Sequence, residues 1–88
     1  MGWRIEVHPD AAKELRRLDR GAAARIIRTL ETRIATLDDP RMLGAALKGE
    51  HAGYWRWRTG DYRVVARIED ERITILIVRV AHRREVYR

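Results

Sequence analysis

The amino-acid sequence predicts an α+β domain in which two helices pack on one face of a twisted sheet. Apolar and polar residues alternate close to the N-terminus, which is typical of a half-buried strand. Apolar residues then recur at every third or fourth position over residues 11–37, as they do along amphipathic helices. Three further strand-like runs follow residue 53, so the predicted order is β-α-α-β-β-β.

The first half of the chain predicts one strand and a helical hairpin. Residues 3–8 alternate and form the predicted strand. Pro9 suits the first turn of a helix, because proline has no N–H to leave unpaired there. The helical pattern is interrupted at residues 19–21 and resumes in a second helix predicted over residues 22–36. Pro40 cannot continue that helix.

The second half predicts an antiparallel meander. Its strands are predicted over residues 54–59, 62–68 and 72–80. The connections around Gly60 and Asp70 are short enough for tight hairpins. The preceding segment, residues 41–53, is predicted to be a loop with one short turn at residues 42–46.

Chain length and composition restrict the class of protein. The 88 residues correspond to one domain, residues 1–88. The absence of cysteine excludes disulfides and thiolate metal sites, and no cofactor or metal site is predicted. No apolar run approaches the roughly 20 residues that span a bilayer, and no signal peptide is recognised. We therefore expect a cytoplasmic protein that does not bind membranes.

Alternation along the meander predicts two unlike faces. The face beneath the helices should carry Val64, Ala66, Ile68, Leu76, Val78 and Val80. The opposite face should carry Arg63, Arg67, Arg79 and Arg83. If Trp55 and Trp57 point inward, Arg56 joins these arginines. A group of like charges on a face without helices indicates an anionic ligand.

The charge balance also favours an anionic partner. The formal net charge is +6, and 17 of the 19 basic residues are arginine. The guanidinium group is planar and permanently charged, and its donors match a phosphate. Taken singly, Arg58 and Arg67 are typical of solvated strand residues. Arg56, Arg63 and Arg83 taken together favour phosphate binding.

Three segments resemble one protein family. They are residues 47–49 (LKG), 60–65 (GDYRVV) and 82–87 (HRREVY). With the predicted order of elements, they make the chain similar to the RelE/ParE superfamily of bacterial toxins over nearly its whole length. Within that superfamily the chain resembles the RelE branch, the ribosome-dependent mRNA endonucleases. The last two segments are specific in combination, whereas GDYR alone would be a weak signal.

The resemblance implies a toxin of a type II toxin–antitoxin system with a RelE-like fold. Such a toxin enters the ribosomal A site and cleaves mRNA there without a metal, by attack of the substrate's own 2′-hydroxyl. The implied partners are mRNA, the ribosome with its 16S rRNA, and a RelB-like antitoxin. A toxin–antitoxin hetero-oligomer that binds operator DNA is also implied.

The resemblance further assigns roles to individual residues. Arg63 would hold the scissile phosphate, Arg83 would stabilise or help protonate the leaving oxygen, and Tyr87 would position the attacking hydroxyl or stack on a base. Arg56 would join them, and His82 is a candidate acid or base because it titrates near neutrality. Further contacts to RNA are expected from Tyr54, Arg58, Arg67, Arg79 and Arg84.

Two positions depart from the family pattern, because Tyr54 and Arg56 stand where well-known members carry lysine. Arginine effectively cannot be deprotonated, so Arg56 cannot act as a base. His82 could do so, but it could equally be a histidine at the rim that bonds to backbone. Two other functions therefore stay open: a ParE-like toxin that poisons DNA gyrase, and a non-catalytic basic module that binds nucleic acid or an antitoxin.

Overall fold

The computed structural model describes residues 2–82 and confirms the predicted α+β class. The helices are α1 (Pro9–Arg17) and α2 (Arg20–Thr29), and the strands are β1 (Arg4–Val7), β2 (Ala45–Ala46), β3 (Tyr54–Thr59), β4 (Tyr62–Glu69) and β5 (Thr74–His82). The strands form one sheet in the order β1-β5-β4-β3-β2. Strand β1 runs parallel to β5, and the other neighbours are antiparallel.

Local side-chain contacts fix where both helices begin. The ring of His8 accepts a hydrogen bond from the backbone N–H of Asp10 at 3.1 Å and caps α1. The Asp19 carboxylate accepts one from the N–H of Ala22 at 2.8 Å, so α2 begins two residues earlier than predicted. Helix α2 continues into one π-helical turn, Leu30–Ile34. Neither helix is long and apolar enough to cross a membrane, as far as residues 2–82 are concerned.

The core lies between the two helices and one face of the sheet. Its fully buried members are Ala11, Ile26, Leu30, Trp57, Val64, Ala66, Ile75, Ile77 and Val80. Trp57 is the largest, and its indole N–H donates to the carbonyl of Pro40 at 3.0 Å. A Cβ on Gly44 would come within 3.0 Å of that indole nitrogen, so glycine permits this close packing. The inward orientation predicted for the tryptophans is confirmed.

The connection before the meander is more ordered than predicted. In place of one turn at residues 42–46 it contains two 3-10 helices, Pro40–Leu43 and Gly49–His51, with β2 between them. Strand β2 pairs with the first half of β3, with Ala45 opposite Arg56. The sheet thus gains a fifth strand that the predicted order lacks, because two alanines carry no recognisable strand pattern.

The prediction that Leu76 and Val78 lie beneath the helices is wrong. In the β4–β5 register Arg79 lies opposite Val65, whereas the next residue of β4 lies opposite Ile77. Val78 is therefore an extra residue, a β-bulge that reverses the alternation of β5. The bulge turns Ile77 inward and keeps Arg79 on the face away from the helices.

Two turns require a left-handed backbone. Gly60, with φ of 62°, is the first residue of the two-residue hairpin loop between β3 and β4, a position that favours glycine. Ile73, with φ of 48° and ψ of 50°, precedes β5. This conformation is unfavourable for a β-branched side chain, and Ile73 is 52% exposed, so little burial offsets the strain.

Candidate nucleic-acid interface on the open face of the sheet

Four arginines come together on the sheet face opposite the helices, which we call the open face. Arg58 of β3 lies directly opposite Arg63 of β4. One rung further along, Arg56 of β3 and Arg79 of β5 both pair with Val65 of β4. Neighbouring rungs on one face are two residues apart, or about 7 Å. We call Arg56, Arg58, Arg63 and Arg79 the arginine cluster.

The members of the arginine cluster differ in exposure. Arg63 is only 6% exposed, although neither helix covers the open face, whereas Arg58 and Arg79 are exposed. Like charges that face each other across two strands destabilise a sheet. A bound anion would relieve that repulsion at the Arg58–Arg63 rung. The predicted meeting of Arg56 and Arg63 on one face is therefore found.

A carboxylate from α1 borders the cluster. Pairing of β1 with β5 ends at Ile77, so the rest of β5 has no strand on that side within residues 2–82. Glu14 takes the place of that strand: it accepts a hydrogen bond from the N–H of Val80 at 2.8 Å. Its second carboxylate oxygen lies 3.8 Å from the Arg79 Nε. Sequence patterns did not indicate this role, because it depends on how α1 packs.

The opposite end of the open face is an ion-pair network, formed by Glu6, Arg67, Glu69 and Arg72. Arg67 donates to Glu69 at 3.0 Å, and Arg72 bonds both Glu69 at 2.5 Å and Glu6 at 2.7 Å. The hydrogen bond from Arg67, with a further one from Arg72, lowers the pKa of the Glu69 carboxyl. Arg67, predicted to contact RNA, is thus held by a carboxylate of its own chain.

A second group of ion pairs, centred on Arg41, lies beside this network. Arg41 donates to Asp70 at 2.7 Å and to Asp39 at 3.1 Å, and its guanidinium lies 5.7 Å from the centre of the Trp55 ring. The hydrogen bond from Arg41 lowers the pKa of the Asp70 carboxyl. These contacts tie the 3-10 helix before β2 to the turn before β5.

His82 lies on the other side of the sheet from Arg63. It pairs with Tyr62, whereas Arg63 pairs with Ala81. The rings of Tyr62 and His82 meet edge to face, with centroids 5.7 Å apart and planes at 82°. Tyr62 packs against the helix-side core, so the structure does not bring His82 together with the arginine cluster.

Tyr54 stands between two cavities on the open face. A cavity of about 330 Å³ is lined by His8, Asp10, Tyr54, Arg67, Leu76 and Val78. A second, of about 400 Å³, is lined by Leu47, Glu50, His51, Tyr54, Val65, Val78 and Arg79. The connection before β3 therefore contributes to this face, which the loop prediction did not indicate. Arg83, Arg84 and Tyr87 lie outside the described residues.

The chemistry that the arginine cluster offers is charge stabilisation. Guanidinium groups donate hydrogen bonds and carry charge, but they do not exchange protons near neutrality. Over residues 2–82, no three His, Asp or Glu side chains converge as ligands for a metal ion. The face can therefore bind a phosphate and stabilise negative charge that develops on it.

Comparison with known proteins places the chain in a family. The sequence model described as "ParE toxin of type II toxin-antitoxin system, parDE" matches residues 5–87. Toxin RelE of Mycobacterium tuberculosis is 31% identical over 86 residues, which are 98% of this chain and 87% of that toxin. Toxin RelG of the same organism is 44% identical over 50 residues, 57% of this chain and only 58% of RelG.

Solved structures agree with this assignment. The toxin of the RelBE2 toxin–antitoxin complex from Mycobacterium tuberculosis superposes with a TM-score of 0.85 at 28% identity, over 93% of this chain and 92% of that one. The archaeal RelE–RelB complex from Pyrococcus horikoshii shares the fold, with a TM-score of 0.71 at 22% identity over 97% and 99% of the two chains. The chain therefore belongs to the RelE/ParE superfamily of toxins from type II toxin–antitoxin systems.

Proposed function

We propose that this toxin is a metal-independent endoribonuclease that cleaves mRNA in the ribosomal A site. The observation that carries the proposal is the arginine cluster, where Arg58 and Arg63 face each other beside Arg56 on a sheet face without helices. Such a surface fits the phosphodiester backbone of a single strand. The full-length relative named RelE supports the ribonuclease branch of the superfamily.

In the proposed reaction the 2′-hydroxyl oxygen attacks the adjacent phosphorus, the bond to the 5′-oxygen breaks, and the hydroxyl proton is transferred through solvent to the 5′-oxygen. The products are a 2′,3′-cyclic phosphate and a 5′-hydroxyl. Arg56 and Arg63 stabilise the charge on the phosphorane, and each well-placed donor of this kind contributes about 2.7–4 kcal/mol. Arg83 stabilises the leaving oxygen, and Tyr87 positions the attacking hydroxyl or stacks on a base.

Proton transfer is the weaker half of this mechanism. The arginines cannot accept the 2′-hydroxyl proton, and His82 faces the helix side of the sheet. We therefore propose that the free toxin is a slow nuclease and that the ribosome supplies part of the geometry by holding the mRNA in line. Rapid cleavage of naked RNA by the purified protein would argue against this picture.

We also propose a RelB-like antitoxin as partner. The solved relatives are the RelBE2 toxin–antitoxin complex from Mycobacterium tuberculosis and the RelE–RelB complex from Pyrococcus horikoshii. A net charge of +6 favours an antitoxin whose acidic or amphipathic segment covers the open face or the helical hairpin. The resulting hetero-oligomer is the species proposed to bind operator DNA.

The function is tested by inducing the toxin and mapping reporter mRNA ends by primer extension. We expect cuts within translated codons from the native chain. Far fewer are expected from Arg83→Ala, which loses a charge stabiliser, and from Tyr87→Phe, which loses the phenol hydroxyl. Toxicity without mRNA cuts would refute the proposed cleavage.

A second function is favoured by one finding, since the matching family model carries the ParE name. A ParE-like toxin would act on DNA gyrase and leave mRNA intact. Gyrase-linked DNA breaks after induction, measured in the same cultures as the mRNA ends, distinguish the two functions.

A further inference from the structure

A cleft lies where the end of α2 approaches the edge of β3. Its volume is about 290 Å³, well above the roughly 10–15 Å³ that one water needs on the same measure. It is lined by Thr29, Arg33, Ile34, Leu43, Gly44, Ala45, Arg56, Trp57 and Arg58. A phosphodiester group therefore fits into it. Arg33 belongs to the π-helical turn, which sequence analysis treated as part of a packing helix.

The charge of the cleft distinguishes it from other concave sites. Among residues 2–82, three arginines line it, and no carboxylate does. Four other cavities of the described chain each contain a carboxylate beside an arginine: Asp38, Asp10, Asp61 or Glu50. Arg33 and Arg58 have no ion-pair partner within residues 2–82. Arg33 and Arg58 thus give the α2–β3 cleft positive charge that no carboxylate of the described residues offsets.

The edge of β3 is open at the same place. Strand β2 pairs only with Trp55 and Arg56, so within the described chain β3 has no neighbour on this side from Trp57 onward. Arg58 both lines the cleft and faces Arg63 in the arginine cluster. A single strand lying on the open face can therefore pass over this edge and remain in contact with arginine.

We propose that the α2–β3 cleft is a second phosphate subsite, which holds a backbone phosphate of the same RNA strand beyond the scissile one. Arg33 and Arg58 supply the guanidinium donors. The proposal rests on the proposed ribonuclease function for the identity of the strand. It adds a residue, Arg33, that neither the sequence pattern nor the open face includes.

The test measures binding of single-stranded oligoribonucleotides that carry 2′-O-methyl groups and so cannot be cleaved. Arg33→Ala is compared with Arg28→Ala, which removes the same charge from an exposed site of α2 outside the cleft. We expect Arg33→Ala to weaken binding of an eight-nucleotide strand. Its slope of log affinity against log salt should be about 0.7 shallower, the value for one lost phosphate contact. Binding of a three-nucleotide strand should not change.

Equal effects of the two substitutions, or equal effects on both strand lengths, would overturn the subsite. So would an unchanged RNA slope together with a weaker antitoxin complex, because the cleft would then hold an acidic segment of that protein. The RNA in this assay is never cut. An absence of mRNA cleavage in cells would therefore refute the proposed function without altering this result.

Discussion

The two ends of the open face use arginine in opposite ways. In the ion-pair network, Arg67 and Arg72 contact Glu6 and Glu69 at 3.0 Å or less. In the arginine cluster, Arg58 lies opposite Arg63, and Glu14 approaches Arg79 only to 3.8 Å. In the ion-pair network, carboxylates of the same chain neutralise the arginines. The arginine cluster instead brings several positive charges together.

The difference teaches that arginine content alone does not locate a binding site. Both ends were predicted to be basic, because alternation places Arg63, Arg67 and Arg79 on one face. The carboxylates that neutralise one end come from β1 and from the end of β4, which are distant from each other in sequence. Nearby carboxylates of the same chain therefore decide which arginines are already held in ion pairs.

The largest effect is expected from Arg63→Ala with Arg67→Ala as the matched control. Loss of one charge-stabilising donor should lower mRNA cleavage on programmed ribosomes by about 10²–10³-fold. Arg67 already forms an ion pair with Glu69, so Arg67→Ala should change cleavage little. Circular dichroism should show that both variants fold. If both variants lose a similar amount of cleavage activity, the two ends of the open face do not differ in function.

A smaller effect is expected at Glu14, which borders the cluster. Glu14→Ala leaves the N–H of Val80 without its acceptor and should lower the free energy of unfolding by about 1–3 kcal/mol, measured in urea. Glu14→Gln keeps an accepting oxygen and should retain most of that stability. Both variants remove a negative charge near Arg79, so both should bind RNA more tightly. If both variants are as stable as the native chain, the hydrogen bond between Glu14 and Val80 contributes nothing to stability.

A gain of stability is expected at Ile73, beside the ion-pair network. Asparagine tolerates the left-handed backbone that strains a β-branched residue, and Ile73 is half exposed. Ile73→Asn should raise the free energy of unfolding by about 1 kcal/mol. RNA affinity should stay the same, because the arginine cluster is at the other end of the face. A less stable variant would show that the Ile73 side chain contributes more than its strain costs.

The smallest effect is a pH dependence confined to the network end. Arginine hydrogen bonds lower the carboxyl pKa values of Glu69 and Asp70 from their ordinary 4.5 and 3.8. The stability that these groups contribute is therefore present above those values and is lost as pH falls through the lowered ones. Urea unfolding between pH 5 and pH 2 should show a steeper loss for the native chain than for Arg67→Gln. If the stability of both proteins depends on pH in the same way, the hydrogen bond from Arg67 does not lower the pKa of the Glu69 carboxyl.

Local patterns predicted much of the fold. The bounds of β3 were predicted correctly, because Tyr54 to Thr59 alternate between glycine-containing turns. The phase of β5 was not, since its run of four apolar residues, Ile75 to Val78, has no polar member to mark a face. The bulge at Val78 is a property of the β4–β5 pair, and one strand's sequence does not contain it.

The site was predicted in part for the same reason. Arg56 and Arg63 share a face because each belongs to a strand with clear alternation. His82 follows the bulge, and its ring meets Tyr62 on the helix side. Arg33 could not be found, because its approach to β3 depends on how the end of α2 packs against the sheet.

The Glu14 carboxylate couples the position of α1 to the C-terminal end of β5. A shift of α1 by about 1 Å would stretch a 2.8 Å hydrogen bond beyond its working range and leave the N–H of Val80 without its acceptor. A protein that binds only the outer surface of this helix could thereby destabilise β5 without contacting the arginine cluster.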